Sequence, residues 1–323
     1  MAGVIIASGV SLAWALLAVR LGPRIGYVDR PDDPALKAHE QPAVPLGGVG
    51  VFLAIHLAAL ARGGLDATLL AASTLLLVLG LVDDRRPLKP VTRLGVEFLA
   101  AVVLVFGGAS GGDPLRLGAA VVLVVLAVNA VNLFDGLDGL AASAGLVAAL
   151  GVAWFARGHG IEVPGALELA AALGGFLLLN WHPARVFLGD AGAYVVGLVL
   201  ADLILNSTPG GAVELILGAV LLGVFAVDLI VTLVRRMLNR RPLFSGDRSH
   251  VYDQLRDRGW SVPRIAVAAA VAQAGLVAAV VASDRLLGSW RALAALLLLL
   301  VGLVGWLGGA GFLRVDAPQA SED

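Results

Sequence analysis

Asp83 and Asp84 open the polar segment Asp83-Asp84-Arg85-Arg86-Pro87-Leu88-Lys89-Pro90-Val91-Thr92-Arg93. Two neighbouring acids at the end of an apolar run can coordinate a hard cation, or divide the tasks of ligand and base, while Lys89 and Arg93 suit phosphate oxygens. The same residues also read as a solvated helix end of mixed charge. A second segment runs Asn129-Ala130-Val131-Asn132-Leu133-Phe134-Asp135-Gly136-Leu137-Asp138-Gly139-Leu140. If a helix begins within it, Asp135 and Asp138, three apart, share a face. Its glycines would admit a phosphate close to backbone N–H groups at a helix N-terminus. The plain alternative is an N-capping turn, although four such polar side chains exceed what one cap requires.

Two further segments carry the same ambiguity. In Asn180-Trp181-His182-Pro183-Ala184-Arg185-Val186-Phe187-Leu188-Gly189-Asp190-Ala191-Gly192, Asp190 is either a third metal ligand or a helix cap. In the stretch from Arg235-Arg236 through Arg240-Arg241 to Arg248-Ser249-His250, the guanidinium density suits anionic ligands or anionic lipid headgroups. Asp228 lies seven residues before Arg235, two helical turns along one face, and an acid inside an apolar run is costly unless paired or functional.

The elements that must hold these groups are set by composition. Of 323 residues, 59% are apolar and 15% charged, with a mean hydropathy of +0.91, which excludes an ordinary water-soluble globule. Continuous apolar runs fall at 3–19, 46–61, 67–82, 95–110, 115–131, 139–156, 166–181, 191–206, 212–234, 263–283 and 289–309. Because they are continuous rather than alternating, a β-barrel is excluded, and the expected fold is all-α: a polytopic membrane bundle of about eleven helices. The first run lacks a basic flank before it and reads as a retained helix rather than a leader. Residues 1–314 are expected to form one membrane-embedded domain, and 315–323 a disordered cytoplasmic tail. No repeat of 20 to 50 residues is visible.

The chain has no cysteine, so disulfides, thiolate nucleophiles and Cys-ligated zinc are excluded. A net charge of −1 removes the argument for a nucleic-acid partner. With eleven spans and the N-terminus outside, 18 of the 23 Lys and Arg residues fall on the side of the odd-to-even connections, leaving Arg62, Arg116, Arg157, Arg285 and Arg291 opposite. That bias predicts N-out, C-in, with the polar segments facing the cytoplasm.

On these residues the sequence resembles the polyprenyl-phosphate N-acetylhexosamine-1-phosphate transferases, a membrane family that includes the phospho-MurNAc-pentapeptide transferases. The matching residues run in order through most of the chain: Asp29-x-Pro31 to Lys37-x-His39 with Pro45-Leu46-Gly47-Gly48; Asp83-Asp84; Asn129-x-x-Asn132-x-x-Asp135-Gly136-x-Asp138-Gly139-Leu140; Phe187-Leu188-Gly189-Asp190-x-Gly192; and Pro242-x-Phe244-Ser245-x-Asp247-Arg248-x-His250. The third is the most specific.

The resemblance implies attack by the phosphate of undecaprenyl or decaprenyl phosphate on the β-phosphate of a UDP-sugar, most simply UDP-GlcNAc, releasing UMP. It implies Asp83, Asp84, Asp135 and Asp138 as catalytic acids, with Asp83 or Asp84 acting on the attacking phosphate. It also implies Mg²⁺ or Mn²⁺ held by Asp190, Asp135 and Asn132. Substrate contacts would come from Lys37, His39, Lys89, Arg93, Asn129, Asn132, Asn180, Phe187, Arg248 and His250, with Phe187 stacking on uracil. A plasma or inner membrane location, surrounding lipids, an active site facing the cytoplasm and a homodimer as an option complete the expectation. The pattern departs at His250-Val251-Tyr252-Asp253, where the family carries His-x-His-His, and at Ala193, where it carries serine. UDP-MurNAc-pentapeptide as donor is the alternative within the family. A transporter or lipid flippase is the alternative outside it, and would distribute its acids along several helices at mid-membrane rather than at one face.

Overall fold

A computed structural model of the chain describes residues 1–29, 42–107, 113–208, 210–242 and 249–313. Lys37, His39, Arg248 and the expected tail at 315–323 lie outside the described residues. Thirteen α-helices are described: α1 Ala2–Leu21, α2 Gly47–Ala61, α3 Ala67–Asp83, α4 Pro90–Gly107, α5 Pro114–Phe134, α6 Leu140–Gly158, α7 Pro164–Asn180, α8 Gly189–Ser207, α9 Ala212–Ala219, α10 Gly223–Leu238, α11 Val251–Asp257, α12 Val262–Leu287 and α13 Ser289–Gly309. Among the described residues the only β pairing is two isolated bridges, Asp29 with Ala43 and Val44 with Val186.

Local chemistry starts several helices where the apolar runs begin. Asp66 caps α3 by accepting from the N–H groups of Thr68 at 2.7 Å and Leu69 at 3.0 Å, and Asp113 does the same for α5. Pro164 opens α7, where a missing N–H costs nothing.

Eight helical segments among the described residues are long and apolar enough to cross a bilayer, with α9 and α10 counted as one; α2, α3 and α7 are shorter apolar helices of 15, 17 and 17 residues. Large apolar side chains such as Val91, Leu286, Trp290 and Leu298 point outward, as lipid-facing residues do. This is a polytopic helical membrane protein. Its centre is α8, flanked by α2, α3, α5 and α6, while α1 lies against α2 and α7, α12 lies against α6, and α13 packs on α12 and α9.

Three features differ from the expectation. The fifth run, expected to end at 131, extends to Phe134, so Asn132 is helical as well as Asn129; two amides interrupt the apolar pattern without ending the helix. The run at 212–234 is broken, with a 3₁₀ turn at Val220–Leu222 and Gly223 at φ 45° between α9 and α10. Gln273 of α12 bridges that break, accepting from Val224 N at 2.9 Å and donating to Leu221 O at 2.8 Å, so these two backbone groups are paired away from lipid. The short α11 lies in the basic connection, where no apolar run announced it.

Candidate active site

One end of the bundle holds a cavity of about 260 Å³. Its walls come from the segment after α1 (Asp29), the approach to α2 (Pro45), the end of α3 (Asp84), the α5–α6 turn (Asn132, Asp135, Leu137, Asp138), the end of α7 (Asn180, His182), the approach to α8 (Phe187, Leu188, Asp190) and the start of α12 (Val262). Four of the five sequence motifs, far apart along the chain, therefore meet at one place. Five carboxylates and no Lys or Arg are among the described lining residues.

Glycine shapes the centre of this site. Gly189, immediately before Asp190, sits at φ 71°, a left-handed conformation costly for other residues, and a Cβ there would lie 2.9 Å from Asp84 Oδ2. The resulting turn lets Asp190 N donate to Asp84 Oδ1 at 2.9 Å. Asn132, in the last turn of α5, donates to Asp190 Oδ1 at 2.8 Å. Asp84, Asn132 and Asp190 thus form one connected group from α3, α5 and α8.

Among the described residues no Lys or Arg lines the cavity beside Asp84, Asp135 and Asp190. Asp84 Oδ2 is buried and has no hydrogen-bond partner. Burial, reinforced by the negative charge of Asp190, pushes the Asp84 carboxyl up to about 7. Burial followed by the charges of Asp190 and Asp84 pushes Asp135 up to about 8. Such a cluster favours a cation. Among the described residues no three His, Asp or Glu side chains gather as a self-sufficient metal site. The donor set fits an ion of the Mg²⁺ kind, which takes one or two carboxylates from protein and completes its shell with water and substrate phosphate oxygens.

Asp135 and Asp138 do not share a helix face, contrary to expectation: α5 ends at Phe134 and α6 starts at Leu140, so both lie in the turn between them. Asp135 follows the last residue of α5, while the Asp138 carboxylate is engaged by His182 Nδ1 at 2.7 Å and Ala184 N at 3.0 Å. Asn180 also serves the framework, accepting from Gly139 N at 3.1 Å and donating to Val186 O at 3.0 Å. Asp138 and Asn180 therefore tie the α5–α6 turn to the α7–α8 connection while lining the cavity. Phe187 is half-buried at the cavity wall.

Several expected contacts are not brought to the cavity. Asp83 is buried beside it, accepting from Leu88 N at 2.6 Å, Arg93 at 3.1 Å and the Tyr194 hydroxyl at 3.0 Å. Arg93 is thereby drawn to Asp83, and Lys89 is exposed outside the lining. Asn129 faces the neighbouring α4, where its amide donates to the buried Glu97, and to Val125 O of its own helix. His250 is buried, its Nδ1 2.7 Å from Asp228 Oδ2 and 3.2 Å from Thr232 Oγ1. Asp228 takes His250 and Val251 N as partners, which answers the cost of an acid within the apolar run.

Among the lining residues that were not expected at the site are Asp29, His182 and Val262. Asp29 stood in the Asp29-x-Pro31 motif, and His182 beside Asn180, so sequence carried a signal for both. Val262 carried none, since a single valine at a helix start has no distinguishing chemistry.

Comparison with known proteins gives a consistent result. The description of glycosyl transferase family 4 matches residues 67–208, the stretch that contributes Asp84, Asn132, Asp135, Asp138 and Asp190. The decaprenyl-phosphate N-acetylglucosaminephosphotransferase of Mycobacterium tuberculosis is 32% identical over 297 residues, spanning 76% of this chain and 72% of the relative. A Bacillus subtilis protein named "probable undecaprenyl-phosphate N-acetylglucosaminyl 1-phosphate transferase" is 27% identical over 283 residues, 80% of this chain and 78% of its own. The undecaprenyl-phosphate alpha-N-acetylglucosaminyl 1-phosphate transferase of Pasteurella multocida is 29% identical over 266 residues, 74% of each chain.

Proposed function

From the premise that the chain belongs to glycosyl transferase family 4, we propose that it transfers N-acetylglucosamine 1-phosphate from UDP-GlcNAc to a polyprenyl phosphate and releases UMP. In that step an oxygen of the lipid phosphate bonds to the β-phosphorus. The bond from that phosphorus to the bridging oxygen breaks, and UMP departs with the oxygen and its electron pair. The observation that carries the reading is the unbalanced acidic cavity, walled by the family's own segment at one end of an apolar bundle, where a lipid-borne phosphate and a water-soluble donor can meet.

Mg²⁺ or Mn²⁺ is part of the proposal, with Asp190, Asp135 and Asn132 as its protein ligands. When bound, the ion offsets the repulsion between the two phosphate groups and stabilises the leaving UMP. Of the neighbouring acids at the end of α3, Asp84 is the better candidate to face the attacking phosphate. It lines the cavity with an unpartnered oxygen, whereas Asp83 is occupied by Arg93, Tyr194 and Leu88 N. Asp138 and Asn180 hold the two connections that frame the donor's nucleotide, and the half-buried Phe187 suits a uracil ring. Asp83 orients Arg93, and His250 braces the basic connection from behind.

We further infer an eleven-span arrangement with the N-terminus outside and the site facing the cytoplasm, supported by the charge bias of the connections. The chain is Cys-free, so a single cysteine at position 86 or 159 reports sidedness with an impermeant thiol reagent in intact cells. Protection at 86 with labelling at 159 is expected; the reverse overturns the orientation. For the reaction itself, purified protein is incubated with a panel of UDP-sugars and decaprenyl or undecaprenyl phosphate. UMP formation with UDP-GlcNAc that stops with EDTA and returns with Mg²⁺ is expected, and selective turnover of UDP-MurNAc-pentapeptide would replace the donor.

A further inference from the structure

Tyr252 of α11 is buried and absent from the cavity lining, yet it touches the turn that carries Asp135. Its hydroxyl donates to Leu133 O at 2.9 Å, one of the carbonyls that the end of α5 leaves without a helical partner. Its ring meets Phe134 edge to face, with centroids 5.8 Å apart. On the other side of Asp135, a Cβ on Gly136 would stand 2.5 Å from the Tyr252 ring carbons Cε2 and Cζ and closer still to the hydroxyl. The tyrosine thus contacts the backbone or side chain of residues 133, 134 and 136, bracketing Asp135.

The tyrosine is itself supported. His250 stacks on it with centroids 5.2 Å apart and planes 7° from parallel, and His250 is fixed by Asp228 of α10 at 2.7 Å. Asp253 accepts from His250 N at 3.3 Å and closes the start of α11. A row of contacts therefore runs from α10 through His250 and Tyr252 to the Asp135 turn.

We propose that Tyr252 is a positioning residue for the transfer reaction: it forms the rear wall that sets where Asp135 enters the cavity, and position 136 is glycine because the tyrosine occupies the space a side chain would need. This rests on the transferase reading of the cavity. Tyr252 needs no contact with substrate to act, since displacing a reacting group by about 1 Å is enough to cost about 100-fold in rate.

The test is a double-mutant cycle on the purified full chain, reading kcat, the donor KM and the thermal midpoint for Gly136→Ala, Tyr252→Ala, the double variant and Tyr252→Phe. Gly136→Ala is expected to lower kcat by about 100-fold when Tyr252 is present but by less than about fivefold when it is alanine, because neighbouring residues couple and the clash is then gone. The thermal midpoint should show the same dependence on background. Tyr252→Phe keeps the ring and removes the hydroxyl that donates to Leu133 O, so kcat should fall while the midpoint and the donor KM stay nearly unchanged. An equal Gly136→Ala penalty in both backgrounds overturns the proposal, as does a Tyr252→Phe variant with wild-type kcat. An inactive wild type would overturn the transferase reading and the positioning role together, a result distinct from an active enzyme whose variants simply add.

Discussion

Two regions rich in charge stand close together in this protein and handle their acids in opposite ways. In the cavity, Asp84, Asp135 and Asp190 face one another without a described Lys or Arg in the lining, and one buried oxygen of Asp84 has no partner. Where α10 meets the start of α11, Asp228 of α10 is satisfied by His250 and by Val251 N, and Asp253 of α11 caps the backbone of His250. A buried acid with its partners supplied by the protein braces the fold. Asp84, with one buried oxygen unpaired, is the acid left available to the proposed reaction.

The largest effect should come from the unbalanced region. Asp190→Asn preserves shape but removes a charge from the proposed cation site, and kcat should fall by about 1,000-fold or more, an electrostatic loss of about 4 kcal/mol. The thermal midpoint without added metal should stay near wild type or rise, since a repelling carboxylate has been neutralised. A mildly impaired Asp190→Asn enzyme would remove the distinction between the two regions.

The next effect belongs to the satisfied region and should appear in stability. His250→Ala removes one of the two partners of the buried Asp228 and leaves only Val251 N, with an expected cost of about 1–3 kcal/mol. Replacing both residues by apolar ones, Asp228→Leu with His250→Phe, should restore much of the thermal midpoint. If His250→Ala leaves the midpoint unchanged while abolishing turnover, the histidine acts on substrate and the comparison fails at that position.

The smallest effect is a control at the opposite ends of the helices. Asp66→Ala removes the cap of α3 and should cost about 1 kcal/mol of stability, read as a lower thermal midpoint, with kcat unchanged.

This contrast was only partly legible in the sequence. The apolar runs at 46–61 and 67–82 nearly coincide with α2 and α3, because a continuous hydrophobic stretch ended by polar residues leaves the backbone few alternatives to a helix. The acids at positions 84, 135, 138 and 190 stood out for the same reason: charged groups are conspicuous in so apolar a chain. Sequence could not say which acids already had partners. The contact of Asp138 with His182 bridges 44 positions, and that of Gln273 with Val224 bridges 49, so neither follows from local spacing. Asp83 and Asp84 are adjacent and chemically identical, and only the turn at the end of α3 sends one to Arg93 and the other to the cavity. Asn129 and Asn132 are the same residue type one helical turn apart on α5, and spacing alone does not separate their roles. One then faces Glu97 and the other Asp190.

The most direct test follows the phosphorus. UDP-GlcNAc labelled with ³²P in the β-phosphate is incubated with purified protein, undecaprenyl phosphate and Mg²⁺, and the label is followed into lipid and aqueous fractions. Transfer of the sugar together with its phosphate predicts label in the lipid, unlabelled UMP in equal amount, and neither product when Asp190 is asparagine. Label released as UDP, with sugar alone in the lipid, would contradict the account.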